Sequence, residues 1–126
     1  MIIVDTDVLI EIFDKNSESG QVALDAIVGS MEPFCTTSIN RHELLYGVMK
    51  YNKKVPEELS AIPILDYTKC DAELSPQLEL ALERKGKKIA RMDAMIAAVA
   101  INNKAKFYTN NKKHFMEFKE FGLELF

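Results

Sequence analysis

The chain has 126 residues and a mass of 14.3 kDa, with 48% hydrophobic and 28% charged residues, a globular balance that excludes a disordered chain, a fibrous repeat and a small disulfide framework. Its 16 basic and 19 acidic residues give a net charge of -3, so bulk charge opposes a polyanion, and a nucleic-acid partner requires a bound cation or a local basic strip. The longest apolar run, Ala94 to Ile101, is too short to span a bilayer, and the start Met1-Ile2-Ile3-Val4-Asp5 lacks the basic region of a secretory signal, so no membrane and a cytoplasmic setting are expected.

Ile2 to Val4 reads as a short buried strand. Thr6 or Asp7 can cap a helix carrying Val8, Leu9, Ile12 and Phe13 on one face. A turn-rich stretch, Asn16 to Gly20, precedes a second amphipathic segment from Gln21 to Val28. Pro33 to Thr37 reads as a strand. Ser38 then caps a helix through about Tyr51, with Leu44, Leu45, Val48 and Met49 as its core face. Ala61 to Leu65 forms a third strand, and Pro63, which donates no hydrogen bond, puts it at the sheet edge. Thr68 opens a helix that reaches about Lys85 and ends at Gly86, and Pro76 is expected to kink it or split it at Ser75. Met92 to Asn102 is the strongest helix, Lys106 to Thr109 a fourth strand, His114 to Phe118 a short helix, and Leu123 to Phe126 a last strand. Strands alternating with helices in one domain argue for an α/β sandwich around a parallel sheet. Cys35 and Cys70 read as buried free thiols, and the methionines as core filler.

In such sheets ligands bind beyond the carboxyl ends of the strands, and three carboxylates stand near that edge. Asp5 ends the first strand, where desolvation is costly unless something pairs with it; a helix cap and a catalytic group are equal readings. Glu43 lies early in its helix beside Leu44 and Leu45, and alone reads as an exposed acid favoured by the helix dipole. Asp93 opens the Ala-rich helix, where Ala94, Ala97 and Ala98 permit close approach to the sheet; a cap explains it equally well. Together, unpaired carboxylates repel and raise one another's pKa, and a hard divalent cation relieves that repulsion.

The runs Asp5-Thr6-Asp7-Val8-Leu9-Ile10, Glu43-Leu44-Leu45-Tyr46-Gly47, Asp93-Ala94-Met95-Ile96-Ala97-Ala98 and Thr109-Asn110-Asn111-Lys112-Lys113-His114-Phe115 resemble, in order, the four motifs of PIN-domain ribonucleases. The small size resembles the VapC-type toxins of toxin–antitoxin pairs. The resemblance covers essentially the whole chain. It implies a three-layer sandwich with a five-stranded parallel sheet, first strand central. It implies Asp5, Glu43 and Asp93 as ligands of Mg²⁺ or Mn²⁺, with Thr6 and Thr109 lending hydroxyls. Asn111 falls where the family has a fourth acid, which implies weaker occupancy of any second metal site. Asp7 stands where Asn or Ser is usual and is read as a cap. Asn40, often Thr or Ser in the family, orients Glu43 or caps its helix. The implied partners are RNA, a small antitoxin and a second copy of the chain.

Basic residues flank the downstream motifs: Arg41 before Glu43, Lys87, Lys88 and Arg91 before Asp93, and Lys112 and Lys113 after Asn111. They are the candidate RNA contacts. Tyr46 and Phe115 are possible stacking aromatics, though core packing suits both, and His42 and His114 read as surface residues. Two other readings remain. Asp5-x-Asp7 after a strand also fits a haloacid-dehalogenase-type phosphatase with Asp5 as nucleophile, and a weakened site at Asn111 fits a PIN-like module that only binds a partner.

Overall fold

The first apolar run folds as β1 (Ile2–Val4), and all three residues are buried. Successive side chains of a strand point to opposite faces, so Ile2 and Val4 enter one apolar layer and Ile3 the other. A strand apolar on both faces belongs in the middle of a sheet. The computed structural model, which describes every residue from Met1 to Phe126, has it there. β1 pairs in parallel with β2 (Phe34–Thr37), and β2 with β3 (Ile64–Leu65). On its other side β1 pairs in parallel with β4 (Lys106–Tyr108), and β4 with β5 (Glu124–Leu125). The order is β3-β2-β1-β4-β5, with Ile3 opposite both Cys35 and Phe107. The five-stranded parallel sheet with β1 central is the expected one, and the Pro63 segment lies at its edge as expected.

Helices cover both faces. α1 (Thr6–Phe13), α2 (Glu18–Ser30), α3 (Ser38–Lys50) and α4 (Glu57–Ser60) supply Val8, Leu9, Ile12, Ala23, Ile27, Leu44 and Leu59 to the layer on Ile2 and Val4. On the other face, α5 (Lys69–Arg84), α6 (Arg91–Asn102), α7 (Lys112–Phe115) and a 3₁₀ segment (Met116–Phe121) pack around Ile3 and Phe107. Ala94, Ala97, Ala98 and Ala100 are fully buried, so α6 lies close against the sheet. No helix is long and apolar enough to cross a membrane.

Several local expectations shift. Asp5, not Thr6 or Asp7, caps α1, and Thr37, not Ser38, caps α3; Ser38 Oγ instead accepts from the Tyr67 N–H at 3.1 Å. α5 continues through Pro76 without splitting. Pro76 removes one backbone donor, and the burial of Leu78 and Leu82 beyond it offsets that cost. α4 has no signature in the sequence, because four residues carry too short a period to register. The last helix starts at Lys112 and tightens to 3₁₀ geometry after Phe115. Cys70 is exposed while Cys35 is buried. Met31, Met49 and Met116 are exposed and fill no core. Of the four expected core residues of α3 only Leu44 is buried; Leu45 and Val48 are half-buried, and Met49 points outward. Val22 and Val28 of α2 also face outward, whereas the apolar face of α1 is spent on the core.

α1 and α2 cross at Gly20, where an added Cβ would lie 2.1 Å from the Glu11 carbonyl oxygen. Gly29, on the same helix, has open space around it. Gly20→Ala is therefore expected to cost roughly 1–3 kcal/mol through overpacking, seen as a lower urea midpoint with unchanged m-value. Gly29→Ala is expected to be neutral or to stabilise by about 0.5–1 kcal/mol through helix propensity.

Candidate active site

From β1 the chain steps outward to β2 and β3, then returns to β4 on the other side of β1. The strand order reverses at β1, and that reversal leaves a crevice at the carboxyl ends of the strands. Asp5 emerges from β1 at this crevice and Thr109 emerges from β4 beside it. Both are buried.

Asp5 is held by donors from three segments. Its Oδ1 accepts from the Thr6 N–H and from Asn40 Nδ2, each at 2.8 Å, and its Oδ2 accepts from Thr109 Oγ1 at 2.6 Å. Burial nevertheless dominates and, with the charges of Asp7 and Asp93, pushes its pKa up to about 6 against the opposing hydrogen bonds. Asn40, fully buried, is fixed in turn: Thr37 Oγ1 donates to its Oδ1 at 2.7 Å and accepts from its backbone N–H at 3.1 Å. Asn40 Nδ2 also reaches Thr6 Oγ1 at 3.2 Å, and Thr6 Oγ1 lies 3.3 Å from the Asn40 carbonyl. The Asn40 amide thus reaches Asp5 and Thr6, and neither of its two expected roles, orienting Glu43 or capping α3, describes it. Thr109 Oγ1 also accepts from the Asn111 N–H at 3.0 Å, which ties the loop after β4 to the same carboxylate.

Glu43 stands three residues beyond Asn40 on α3, near the inner face of that helix. It is half-buried, and its pKa is raised to about 7, first by desolvation and then by Asp5, Asp93 and Asp7; no protein donor opposes the rise. Asp93 lies in the first turn of α6, where the helix dipole favours a negative charge. Burial raises its pKa, and the His114 ring opposes that, with Nδ1 at 3.8 Å from Oδ2. Asp7 is not the N-cap of α1 but serves its first turn, its Oδ1 accepting from the Val8 N–H at 2.7 Å; its Oδ2 accepts from the Asn110 N–H at 3.2 Å, and burial raises its pKa as well.

Asp5, Thr6, Asp7, Glu43, Asp93 and Asn111 line one recess of about 250 Å³. The side chains face a common space without closing into a finished ligand set of three. The donors are all oxygen, and their mutual repulsion is what a hard divalent cation relieves, so the residues present fit Mg²⁺ or Mn²⁺.

The basic candidates divide. Arg41 Nη1 is 3.3 Å from the Leu59 carbonyl, and Arg91 Nε bonds both carboxylate oxygens of Glu79 at 3.1 and 3.2 Å. Lys112 is exposed at the start of α7, outside the recess. Lys87, Lys88 and Lys113 gather on the far side of Asp93. Phe115 is buried in the core, whereas Tyr46 is exposed. The residue that sequence reasoning passes over is His114, whose Nδ1 lies 2.8 Å from Asn111 Nδ2. Its signal is the three-residue spacing from Asn111 at a helix start, which puts both on one side of the turn.

The sequence model of the PIN domain family matches residues 2–120. Ribonuclease VapC2 of Rickettsia felis is 30% identical over 126 residues, covering 95% of this chain and 93% of that protein. Ribonuclease VapC1 of Methanocaldococcus jannaschii is 32% identical over 129 residues, covering 99% of this chain and 86% of that protein. Among solved structures, a chain of VapBC2 from Rickettsia felis bound to a DNA fragment from its promoter superposes with a TM-score of 0.77 at 29% identity, covering all of this chain and 98% of that one. With its family motifs in order, β1 central and the acidic recess at the strand ends, the chain belongs to the PIN-domain family, within the VapC-type branch of toxin–antitoxin pairs.

Proposed function

We propose that this chain is a Mg²⁺- or Mn²⁺-dependent endoribonuclease that hydrolyses RNA phosphodiesters as the toxin of a toxin–antitoxin pair. The observation that carries the reading is the meeting of Asp5, Glu43 and Asp93, from three separated segments, around one half-enclosed recess. These three residues would hold the cation. When bound, it supplies Lewis-acid polarisation of a phosphate oxygen and a water of lowered pKa. Asp5, clamped by Thr6, Asn40 and Thr109, is the fixed reference point of the set. Glu43 has no such clamp and is the adaptable ligand. Asp93 presents its carboxylate on the positive end of α6. Asn111 contributes a neutral amide near the same edge, so a second cation is held more weakly there.

An antitoxin and a second copy of the chain are the expected protein partners. Support for the antitoxin comes from the similar structure described above, VapBC2 of Rickettsia felis bound to a DNA fragment from its promoter. RNA as substrate draws its support from the ribonuclease names of the two relatives described above.

Cleavage of a labelled RNA in the presence and absence of Mg²⁺ or Mn²⁺ tests the reading. Glu43→Gln is expected to lower the metal-dependent rate by at least about 100-fold, the scale on which removal of metal-supporting groups acts. An unchanged rate would falsify the role given to Glu43, and absence of metal-dependent cleavage by the wild-type chain would overturn the nuclease assignment. A phosphatase built on Asp5 and Asp7 would instead tolerate Glu43→Gln and fail with Asp7→Asn.

The raised carboxylates also make the metal-free protein sensitive to pH. A carboxyl whose folded pKa lies above its unfolded value holds its proton more tightly when folded, so its contribution to stability fades as pH rises through the folded pKa. With Asp5 at about 6 and Glu43 at about 7, metal-free protein is expected to melt at a higher temperature at pH 5 than at pH 7.5. Glu43→Gln should shrink that difference, and saturating Mg²⁺ should raise the melting point most at the upper pH. A metal-free melting point that climbs from pH 5 to 7.5 would count against clustered, ionised carboxylates.

A further inference from the structure

An ionised carboxylate offers about four lone pairs on two oxygens, so the partners it already holds decide what it can still bind. At Asp5 three of them are engaged. Oδ1 accepts from the Thr6 N–H and from Asn40 Nδ2, and Oδ2 accepts from Thr109 Oγ1. A single lone pair is left, and it is on Oδ2. Glu43 and Asp93 are less committed. Glu43 has no protein donor, and Asp93 has only the His114 ring at 3.8 Å.

The three donors to Asp5 are fixed. The Thr6 N–H belongs to the backbone at the start of α1. Asn40 is fully buried, and its amide can face only one way. An ionised carboxylate accepts and never donates, so the Asn40 atom 2.8 Å from Oδ1 is the amide nitrogen. The other end of the amide agrees. Thr37 Oγ1 accepts from the Asn40 backbone N–H, which leaves its own proton for Asn40 Oδ1. The second hydrogen of Asn40 Nδ2 faces Thr6 Oγ1 at 3.2 Å. Thr109 is committed in the same way: its Oγ1 accepts from the Asn111 N–H and gives its proton to Asp5.

Two divalent cations about 4 Å apart, the spacing of two-metal sites, repel one another, and a carboxylate shared between them offsets that repulsion. Asp5 stands where such a bridge would be built: among the neighbouring carboxylates it acts most strongly on Glu43, ahead of Asp93 and Asp7. A bridge needs two free lone pairs, either both on one oxygen or one on each. Asp5 meets neither condition, because Oδ1 is full and Oδ2 has room for one partner.

We infer that the acidic recess holds a single tightly bound divalent cation, which Asp5 takes through Oδ2, and that the Asn40 amide and the Thr109 hydroxyl impose this count by leaving Asp5 nothing with which to bridge to a second ion. This inference rests on the nuclease reading above and deepens it. Asn40 and Thr109 become positioning residues that act through Asp5, and the limit on metal content lies at β1 and not only at the neutral Asn111.

Mn²⁺ is the probe for the test. The full chain, freed of metal with chelator, is titrated with Mn²⁺ by calorimetry for stoichiometry and by electron paramagnetic resonance for proximity of the ions. The wild-type chain is expected to bind a single tight equivalent and to give the signal of isolated Mn²⁺. Asn40→Ser withdraws the amide from Oδ1, and Thr109→Val withdraws the hydroxyl from Oδ2. Each returns one lone pair, from a different element, and each variant that keeps the wild-type circular dichroism spectrum is expected to take a second equivalent with the broadened signal of an exchange-coupled pair. Coupled ions in the wild-type chain would overturn the inference, whatever the variants do. Folded Asn40→Ser and Thr109→Val proteins that stay at a single equivalent would overturn it too, and a second equivalent gained by Asn111→Asp alone would move the limit to that residue. Metal-dependent RNA cleavage is read separately. A single bound Mn²⁺ without cleavage leaves the count intact and removes the nuclease reading; no bound Mn²⁺ removes both.

Discussion

The organising constraint of this molecule is a carboxylate that ends its most buried strand. β1 carries no polar side chain, and the next residue, Asp5, must be accommodated where water hardly reaches. Three donors meet that demand, and they come from α1, α3 and the end of β4. A buried charge costs several kcal/mol unless it is paired or hydrogen-bonded. The position of Asp5 therefore calls for the Asn40 amide and the Thr109 hydroxyl beside the backbone N–H of Thr6, and Asn40 is fixed in turn by Thr37. One polar chain links side chains of three segments, in addition to the backbone pairing that joins β1 to β4.

The same demand organises the charges around it. Glu43, Asp7 and Asp93 face the crevice and carry raised pKa values, so the folded chain maintains an unfavourable negative potential at one end of its sheet. At the opposite end the charges are neutralised within the protein. Glu32 accepts from both the Met1 ammonium and Lys106, which ties the two central strands together. The asymmetry is the mark of a site: charge matched where it serves only structure, and left unmatched where a ligand completes it.

Much of this was legible in the residues. The alternation of Ile2, Ile3 and Val4 before an Asp, the Ala-rich run after Asp93 and the Pro63 edge signal each follow from elementary geometry, and they fix the sheet and its crevice. What escaped was contact between distant side chains. Asn40 is one helical turn from Glu43, which suggests that it serves that residue, whereas its amide reaches across to Asp5. Asp7 has a local capping propensity, and only the fold brings Asn110 to its carboxylate. The lysines look alike in sequence because ion-pair partners such as Glu79 and Glu120 lie on other turns and other elements. Methionines and Cys70 mislead for the opposite reason: hydrophobic type predicts burial only on the inward side of a helix.

The bond between Thr109 and Asp5 spans 104 residues. As the chain leaves the ribosome, Asp5 and Glu43 emerge long before the segment that completes their surroundings. β1 has no neighbour on its β4 side until Lys106 to Tyr108 have been made, and contacts of such long sequence separation form late. Assembly of the acidic cluster is thereby deferred until β4 has been made, and a product terminated just before β4 retains three of the four motifs without the Thr109 hydroxyl that seats its first carboxylate.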